Sequence, residues 1–206
     1  MIDNEDGLRS IFGNAEGLAV QKSRPGFDKY SRQFVAMSPF LVISTANAQG
    51  KADVSPRGDP PGFVHIVDDK TFLIPDRPGN NRLDTMVNIV ENPNVACLFF
   101  IPGFEDTLRV SGKARITEDA ELLKHCTVSG KQPKAGILVT ADEVFLHCAK
   151  ALKRSKLWQD DYRQDRAQMP SIARIIMEQV SEQGVDEKAV ADADASVEEN
   201  YRKELY

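Results

Sequence analysis

The sequence has little cysteine, no excess of basic charge and no long apolar run. Three cysteines among 206 residues are too few for a disulfide framework, so we expect a protein of the reducing cytoplasm. The chain has 26 Lys and Arg against 31 Asp and Glu, and its formal net charge of −5 argues against a nucleic-acid partner, which requires a basic surface. No segment approaches the roughly 18 consecutive apolar residues of a transmembrane helix, and the acidic start is unlike a secretory signal. We therefore expect neither a membrane nor a nucleic-acid partner.

The sequence also lacks the common short motifs of catalysis. It contains no Gly-x-Ser-x-Gly elbow, no Walker loop and no dinucleotide fingerprint. The dipeptides His125-Cys126 and His147-Cys148 are the best candidates for metal ligands. Neighbouring residues on a strand point to opposite faces, however, so one dipeptide rarely chelates a metal. We expect no metal site and assign no catalytic residue.

Short β-branched and apolar segments separated by turn residues predict an antiparallel, mainly β fold. Strands are expected at 40–45, 52–57, 64–67, 71–74, 95–101, 108–116, 137–139 and 144–148. The segment 95–101 is apolar at every position, which predicts burial on both faces, whereas 108–116 alternates apolar residues with a cationic row. Asp142-Glu143 is expected to separate the last two strands. The short connections favour an antiparallel β-barrel.

Helices are expected around this sheet. Residues 28–37 and 118–127 have helical patterns, and Asn81 is the expected N-cap of a helix that ends before Pro93. Near the end of the chain, apolar spacing over 172–180 predicts one helix that is capped at Gly184.

A second helix near the end of the chain is expected to start at a capping box formed by Ser196 and Glu199. The chain is acidic from Glu178 onward, which is typical of a solvated helical surface. We expect two helices packed on the body of the protein or on a second subunit.

The most informative stretch runs from Ile74 to Arg82, where a strand ends, a loop turns and a helix starts. Free N–H groups at a helix start attract anions. Arg77 and Arg82 flank the loop and can bind an anion through two hydrogen bonds each, while Gly79 permits close approach of a ligand. The residues alone leave two interpretations open, a phosphate site or an ordinary capped helix with two solvated arginines.

Three further cationic positions have both a structural and a functional interpretation. Arg57 ends the strand 52–57 and can add a cation to the same site. Arg109 lies on the polar face of the strand 108–116, either as a surface residue or as a ligand contact. The basic segment 150–158 is an amphipathic helix with solvated lysines, or it places Lys150, Arg154 or Ser155 at a ligand.

Taken in order, several of these segments resemble the pyridoxamine-phosphate-oxidase-like, FMN-binding split-barrel family, and most closely its members of unassigned reaction. The resemblance covers roughly residues 30–158, and the stretch from Ile74 to Arg82 is its most specific part. The segments that carry it are 42–45, Val54-Ser55-Pro56-Arg57-Gly58-Asp59, 74–82, Glu91-Asn92-Pro93, Leu108-Arg109-Val110-Ser111-Gly112 and 147–158. It implies a split β-barrel homodimer with FMN at the subunit interface.

The resemblance also implies roles for individual residues. The strand that carries Ser55 and ends at Arg57 matches the family strand whose basic end reaches the FMN phosphate. The remaining implied contacts are Pro75, Asp76 and Arg77 along the flavin, Asn80, Asn81 and Arg82 at the phosphate, Arg109 from the barrel or the other subunit, and Lys150 and Ser155 near the ring system.

The resemblance implies an FMN-dependent oxidoreductase that acts on an unknown small molecule. Residues 1–158 would form the split-barrel domain with an N-terminal helical segment, and 159–206 an acidic helical extension. The chain lacks the Arg-x-His substrate motif and the Arg-Leu-x-Pro close of true pyridoxamine-phosphate oxidases, which argues against oxidation of vitamin B6. The alternative is a non-catalytic protein that binds, stores or senses flavin or haem, with His65, His125 or His147 as a haem ligand, and a deazaflavin is a further option.

Overall fold

The computed structural model describes residues 1–181 and 184–206. Seven strands form one antiparallel sheet in the order β2-β1-β5-β6-β7-β4-β3, so β2 and β3 lie at its two open edges. The strands are β1 Phe40–Ala46, β2 Ala52–Gly58, β3 His65–Ile66, β4 Thr71–Pro75, β5 Asn94–Phe100, β6 Thr107–Thr117 and β7 Gly136–His147. The predicted antiparallel fold with flanking helices is confirmed.

Eight α-helices are present in the described part of the chain. They are α1 Glu5–Phe12, α2 Leu18–Gln21, α3 Lys29–Met37, α4 Asp84–Glu91, α5 Ala120–Leu123, α6 Lys150–Ser155, α7 Ile172–Val180 and α8 Glu187–Glu204. Short 3₁₀ turns occupy 124–126, 160–162 and 166–168. None of the helices within 1–181 and 184–206 is both long and apolar enough to cross a membrane.

The main hydrophobic core covers one face of the sheet. Leu41 and Ile43 of β1, Phe99 of β5 and Leu108 of β6 are fully buried there. The side chains of a strand alternate between faces, so the other residues of β5 lie on the second face, where Leu98 is only half-buried. Within one chain β5 is therefore buried on one face only, because the cluster that covers Leu73 and Leu138 on the second face does not extend to β5.

The strand β7 is continuous where the sequence predicted two strands. The pairing of β7 with β6 skips Asp142, which is the extra residue of a β-bulge. Opposite the bulge, a Cβ on Gly112 would lie 2.1 Å from the carbonyl oxygen of Thr140, so only glycine permits this close approach. Asp142-Glu143 therefore marks a bulge within one long strand rather than a turn between two strands.

The helix α8 starts nine residues before the predicted capping box, at Glu187. Asp186 is its N-cap, and the Asp186 carboxylate accepts a 2.9 Å hydrogen bond from the amide of Ala189. Alanine-rich sequence then continues the helix, so Ser196 lies in its interior. The prediction of a start at Ser196 is wrong, because Asp186, which precedes Ser196 in the chain, already caps the helix.

The helices α7 and α8 pack against each other after the sheet is complete. Ala173 of α7 and Val190 of α8 are buried. The helix α7 ends at Val180 with Ser181 as its C-cap, and Gly184 lies beyond the cap with φ of 84°. Gly184 is thus not the helix cap that the sequence predicted. The structure confirms both helices, with a different C-cap for α7 and an earlier start for α8.

Candidate functional site

A surface cleft lies between β2 and the loop that follows β4. Its volume is about 240 Å³, and we call it the β2 cleft. The predicted contacts that line it are Ser55, Arg57, Asp76, Arg77, Asn80, Asn81 and Arg82. Two separate parts of the sequence therefore meet here, although β2 and β4 lie near opposite edges in the strand order of the sheet. Pro75 lies just outside the cleft, buried at the end of β4, where it pairs with Gly136.

Arg57 carries a buried donor without a partner among residues 1–181 and 184–206. Its Nε atom is shielded from solvent and donates no hydrogen bond to any of these residues. Its Nη1 atom lies 3.8 Å from Asp76 Oδ1, which is an ion pair at the limit of contact. A buried unpaired donor costs free energy, so an acceptor oxygen in the β2 cleft would stabilise this arrangement.

Asp76 is the acidic counterpart of Arg57 at the cleft. Burial raises the pKa of the Asp76 carboxyl above its ordinary value, and the positive charge of Arg57 opposes that rise. The Asp76 carboxylate therefore offsets part of the positive charge that Arg57 brings to the cleft.

Arg77 is held firmly by the protein itself. Its Nε atom donates to Asp59 Oδ2 at 2.6 Å, and its Nη2 atom donates to the carbonyl oxygen of Cys126 at 2.9 Å. The Asp59 side chain is only 1% exposed, so this is a buried ion pair with a fixed geometry. Arg77 thus anchors the loop, and its predicted contact with the flavin stays a prediction.

The loop from Asn80 to Asp84 differs from the predicted helix cap. The N-cap of α4 is Leu83, a left-handed residue with φ of 60°, and the side chain of Asn81 does not cap the helix. Asn81 also has a positive φ of 56°, which asparagine tolerates better than most residues. The structure thus corrects the assignment of Asn81 as N-cap, because two left-handed residues turn the chain before the helix begins.

Arg82 is exposed and bonded to its neighbour. Its Nε atom donates to Asp84 Oδ2 at 2.8 Å, and this ion pair is exposed to solvent, with 72% of the Arg82 side chain accessible. Exposed pairs of this kind are weak, so Arg82 is free to reorient toward an anion in the cleft. Asp84 meanwhile places a negative charge at the start of α4.

A second and larger cleft lies on the other side of the loop. We call it the α8 cleft, and its volume is about 610 Å³. The two clefts share Asp76, Arg77, Gly79 and Asn81, and the new walls come from Pro78, 131–134, Glu204 and Tyr206. The loop 76–81 therefore separates two clefts that share its residues.

Tyr206 contacts the ion pair at the bottom of the α8 cleft. Its Oη atom donates to Asp59 Oδ1 at 2.5 Å, and its ring lies 5.6 Å from the Arg77 guanidinium carbon. The hydrogen bond to Asp59 is the main reason that the pKa of the Tyr206 phenol is raised. Sequence reasoning assigned no role to Asp59 or Tyr206, since 147 positions separate them and no local motif links them.

Three predicted contacts lie away from both clefts. Arg109 is exposed on β6, on the half-buried face of the sheet, with its guanidinium 5.5 Å from the Phe145 ring. Lys150 starts α6, and Ser155 near its end donates to the carbonyl oxygen of Leu152. Within one chain these residues do not join the β2 cleft, and their contribution from a second subunit stays a prediction.

Two of the three histidines stack on each other. The rings of His65 and His125 are parallel with centroids 4.3 Å apart, and burial lowers the pKa of His65. Face-to-face stacking does not direct two nitrogen lone pairs at one metal ion. Among residues 1–181 and 184–206, no three His, Cys, Asp or Glu side chains converge as a metal site requires.

A family model described as pyridoxamine 5'-phosphate oxidase matches residues 27–148. The match spans all seven strands and the loop that lines both clefts. The chain therefore belongs to the pyridoxamine 5'-phosphate oxidase family. The helices α6, α7 and α8 and Tyr206 lie outside the matched range. Comparison with curated proteins gave no match.

Solved structures with a similar fold were also found. HupZ of Group A Streptococcus is 18% identical, with a TM-score of 0.48 over 58% of this chain and 93% of that one. General Stress Protein 26 of Bacillus anthracis is 18% identical, with a TM-score of 0.39 over 56% of this chain and 92% of that one. An F420 reductase is 14% identical, with a TM-score of 0.40 over 56% and 94% of the two chains. These similarities are too distant to assign a reaction.

Proposed function

We propose that the protein binds FMN, with the phosphate in the β2 cleft. The observation that carries this proposal is the buried, unpartnered Nε donor of Arg57 in a cleft that Arg82 also lines. Two guanidinium groups beside hydroxyl and amide side chains form a donor set that suits a phosphate. Membership of a family named for a phosphate-ester oxidase supports the same ligand class.

In this proposal, each wall of the β2 cleft has its own part. Ser55, Arg57, Asn80, Asn81 and Arg82 hold the phosphate, and the strand end at 75–77 lies along the flavin. Bound FMN would supply electron transfer to or from a small molecule. The protein residues bind and orient the cofactor, and the proposed class is an FMN-dependent oxidoreductase.

We further propose that the protein works as a homodimer with FMN at the subunit interface. The half-buried face of the sheet exposes apolar and cationic side chains side by side, including Val42, Leu98 and Arg109. A second subunit on this face would bury Leu98. It would also bring Arg109, Lys150 and Ser155 to the cofactor of its partner.

The remaining proposals concern the domain boundaries of the protein and its location in the cell. The family match ends at residue 148, which supports a split-barrel unit over 1–158 and a separate helical extension over 159–206. All three cysteines are free, and two of them are buried, which supports a reducing cytoplasm.

Titration of the apoprotein with FMN tests the phosphate site. Arg57→Ala is expected to weaken FMN binding by roughly 1.5–3 kcal/mol, because a hydrogen bond to a charged group is lost. Arg82→Ala is expected to weaken it as well. Arg115→Ala is the matched control, since Arg115 is an exposed arginine of β6 outside both clefts.

Isothermal titration calorimetry measures the four dissociation constants. An unchanged constant for Arg57→Ala, or an equal loss in Arg115→Ala, would place the phosphate elsewhere. Lys134, which lies outside every sequence motif, is unsuitable as a control because it lines the α8 cleft.

A further inference from the structure

Tyr206 makes three different contacts in the α8 cleft. Its phenol donates to the Asp59 carboxylate at 2.5 Å, and its ring lies against the guanidinium of Arg77. Its main-chain oxygen accepts a 2.6 Å hydrogen bond from Nζ of Lys131. The cleft thus provides an acceptor for a phenol, a cationic surface for an aromatic ring and a cation for a carbonyl or carboxylate oxygen.

Two of these recognition groups, Asp59 and Arg77, are held in place without Tyr206. Asp59 and Arg77 fix each other through their 2.6 Å ion pair, and the carbonyl oxygen of Cys126 holds the far end of the guanidinium. The Asp59 carboxylate is buried, so it needs a donor at its second oxygen. A ligand that brings a hydroxyl group would therefore satisfy the same need that Tyr206 satisfies.

The contacts of Tyr206 are of the kind that a ligand can replace. Lys131 is exposed, so water or a ligand can replace its hydrogen bond to Tyr206 at little cost. The α8 cleft also extends past the tyrosine, with about 610 Å³ of space and a further exposed cation at Lys134. A small molecule can enter beside Tyr206 and take over its contacts.

We propose that the α8 cleft binds a small hydroxyaryl carboxylate, and that Tyr206 occupies the recognition groups for this ligand until the ligand displaces it. The hydroxyl group would donate to Asp59, the ring would lie on Arg77, and the carboxylate would pair with Lys131 or Lys134. The proposal goes beyond the flavin site, because binding in this cleft is measured with the full chain and no added flavin.

The test uses 3-(4-hydroxyphenyl)propionate as the probe and 3-phenylpropionate as its analogue without the hydroxyl. Tyr206→Ala is expected to bind the hydroxyl probe at least about tenfold more tightly than the unmodified protein, a factor that corresponds to 1.4 kcal/mol. The same variant is expected to bind 3-phenylpropionate about tenfold more weakly than the hydroxyl probe, because Asp59 then lacks a donor. Adding Lys131→Ala is expected to weaken both probes alike.

Tyr201→Ala is the matched control, because Tyr201 is an exposed tyrosine on α8 outside the cleft. It is expected to keep the affinities of the unmodified protein. Equal affinity of Tyr206→Ala for the two probes, or no gain over the unmodified protein, would overturn the proposal. An FMN affinity that stays unchanged in Arg57→Ala, in the separate titration, would contradict the flavin site instead.

A second measurement needs no disruptive variant. In the unmodified protein, saturating 3-(4-hydroxyphenyl)propionate is expected to move the ring NMR signals of Tyr206, identified with Tyr206→Phe, to the positions of a solvated tyrosine. Unmoved ring signals at saturation would show that the tyrosine is a fixed wall and would overturn the displacement.

Discussion

Asp76 and Arg57 oppose each other at the β2 cleft. The pair is 3.8 Å apart, and burial raises the pKa of the carboxyl. A carboxylate this close to the guanidinium reduces the attraction that Arg57 offers to an anion. The charge state of one aspartate therefore controls the strength of the proposed phosphate site.

Asp76→Asn is expected to tighten binding of inorganic sulfate, since it removes the competing charge but keeps the shape. Sulfate keeps its charge across the pH range, so the pH dependence reports on the protein. As the pH falls through the raised pKa of Asp76, the unmodified protein loses that charge too, and the advantage of Asp76→Asn is expected to shrink. Calorimetry at several pH values measures both effects.

Asp142→Asn is the control for this substitution, because Asp142 is an exposed aspartate at the bulge of β7. A constant difference between Asp76→Asn and the unmodified protein across the pH range would mean that Asp76 does not titrate as the structure indicates.

The arginines that line the β2 cleft could be predicted from sequence because each lies in a short local motif, and the resemblance implied that the two motifs meet. Arg57 ends a strand, and Arg77 and Arg82 flank one short loop. The contact of Asp59 with Tyr206 could not be predicted, because it depends on how α8 returns to the sheet. Left-handed Leu83 was also beyond local reasoning, since leucine rarely adopts that conformation.

At the scale of elements, α3 has the best-defined start. The Asp28 carboxylate accepts hydrogen bonds from the amides of Tyr30 and Ser31, and Ser31 Oγ accepts one in return from the amide of Asp28. The hydrogen bond from the Ser31 amide is the main reason that the pKa of Asp28 is lowered. The cap is thus a charged group stabilised by the helix start.

Asp28→Ala is expected to lower the free energy of unfolding by about 1 kcal/mol at neutral pH, the usual contribution of an N-cap. A lowered carboxyl pKa contributes stability above its unfolded value, and this contribution is lost as the pH falls through the folded pKa. The difference between the two proteins should therefore shrink in acid. Urea unfolding at neutral and acid pH measures it, and an equal difference at both would contradict the charged cap.

The bulge of β7 depends on Gly112. Gly112→Ala is expected to lower the free energy of unfolding by about 3 kcal/mol, near the top of the range for overpacking, because its Cβ would lie 2.1 Å from the Thr140 oxygen. Gly79→Ala is the control, since the nearest atom to its Cβ is 3.9 Å away. Urea unfolding measures the free energy of unfolding of both variants. Equal free energies for Gly112→Ala and Gly79→Ala would contradict the close approach at Gly112.

Most elements could be predicted from their local patterns, and the errors have physical causes. The hairpin of β1 and β2 is marked by its turn, and α3 by its cap. The continuity of β7 could not be predicted, because a bulge and a turn use the same polar residues. The start of α8 was misplaced because two side chains, Asp186 and Ser196, can both cap a helix.

In the molecule as a whole, the half-buried face of the sheet around Leu98 is the surface on which the proposed dimer would form. Leu98→Glu is expected to convert the proposed dimer into a monomer, because it places a charge in a surface that a second subunit would bury. Sedimentation velocity measures the change. Val90→Glu is the control, since Val90 is 78% exposed on α4. A dimer that survives Leu98→Glu would mean that another surface forms the interface.

The most direct test of the account is the visible spectrum of the protein purified without added cofactor, with mass analysis of whatever heat releases. FMN bound in the β2 cleft would give flavin absorption bands and about one released FMN molecule per chain, since one β2 cleft forms in each chain. A Soret band or a deazaflavin mass would contradict FMN as the ligand. A colourless protein that also fails to bind added FMN would contradict the proposed FMN site. The loop from Arg77 to Arg82 would then serve only to connect β4 to α4.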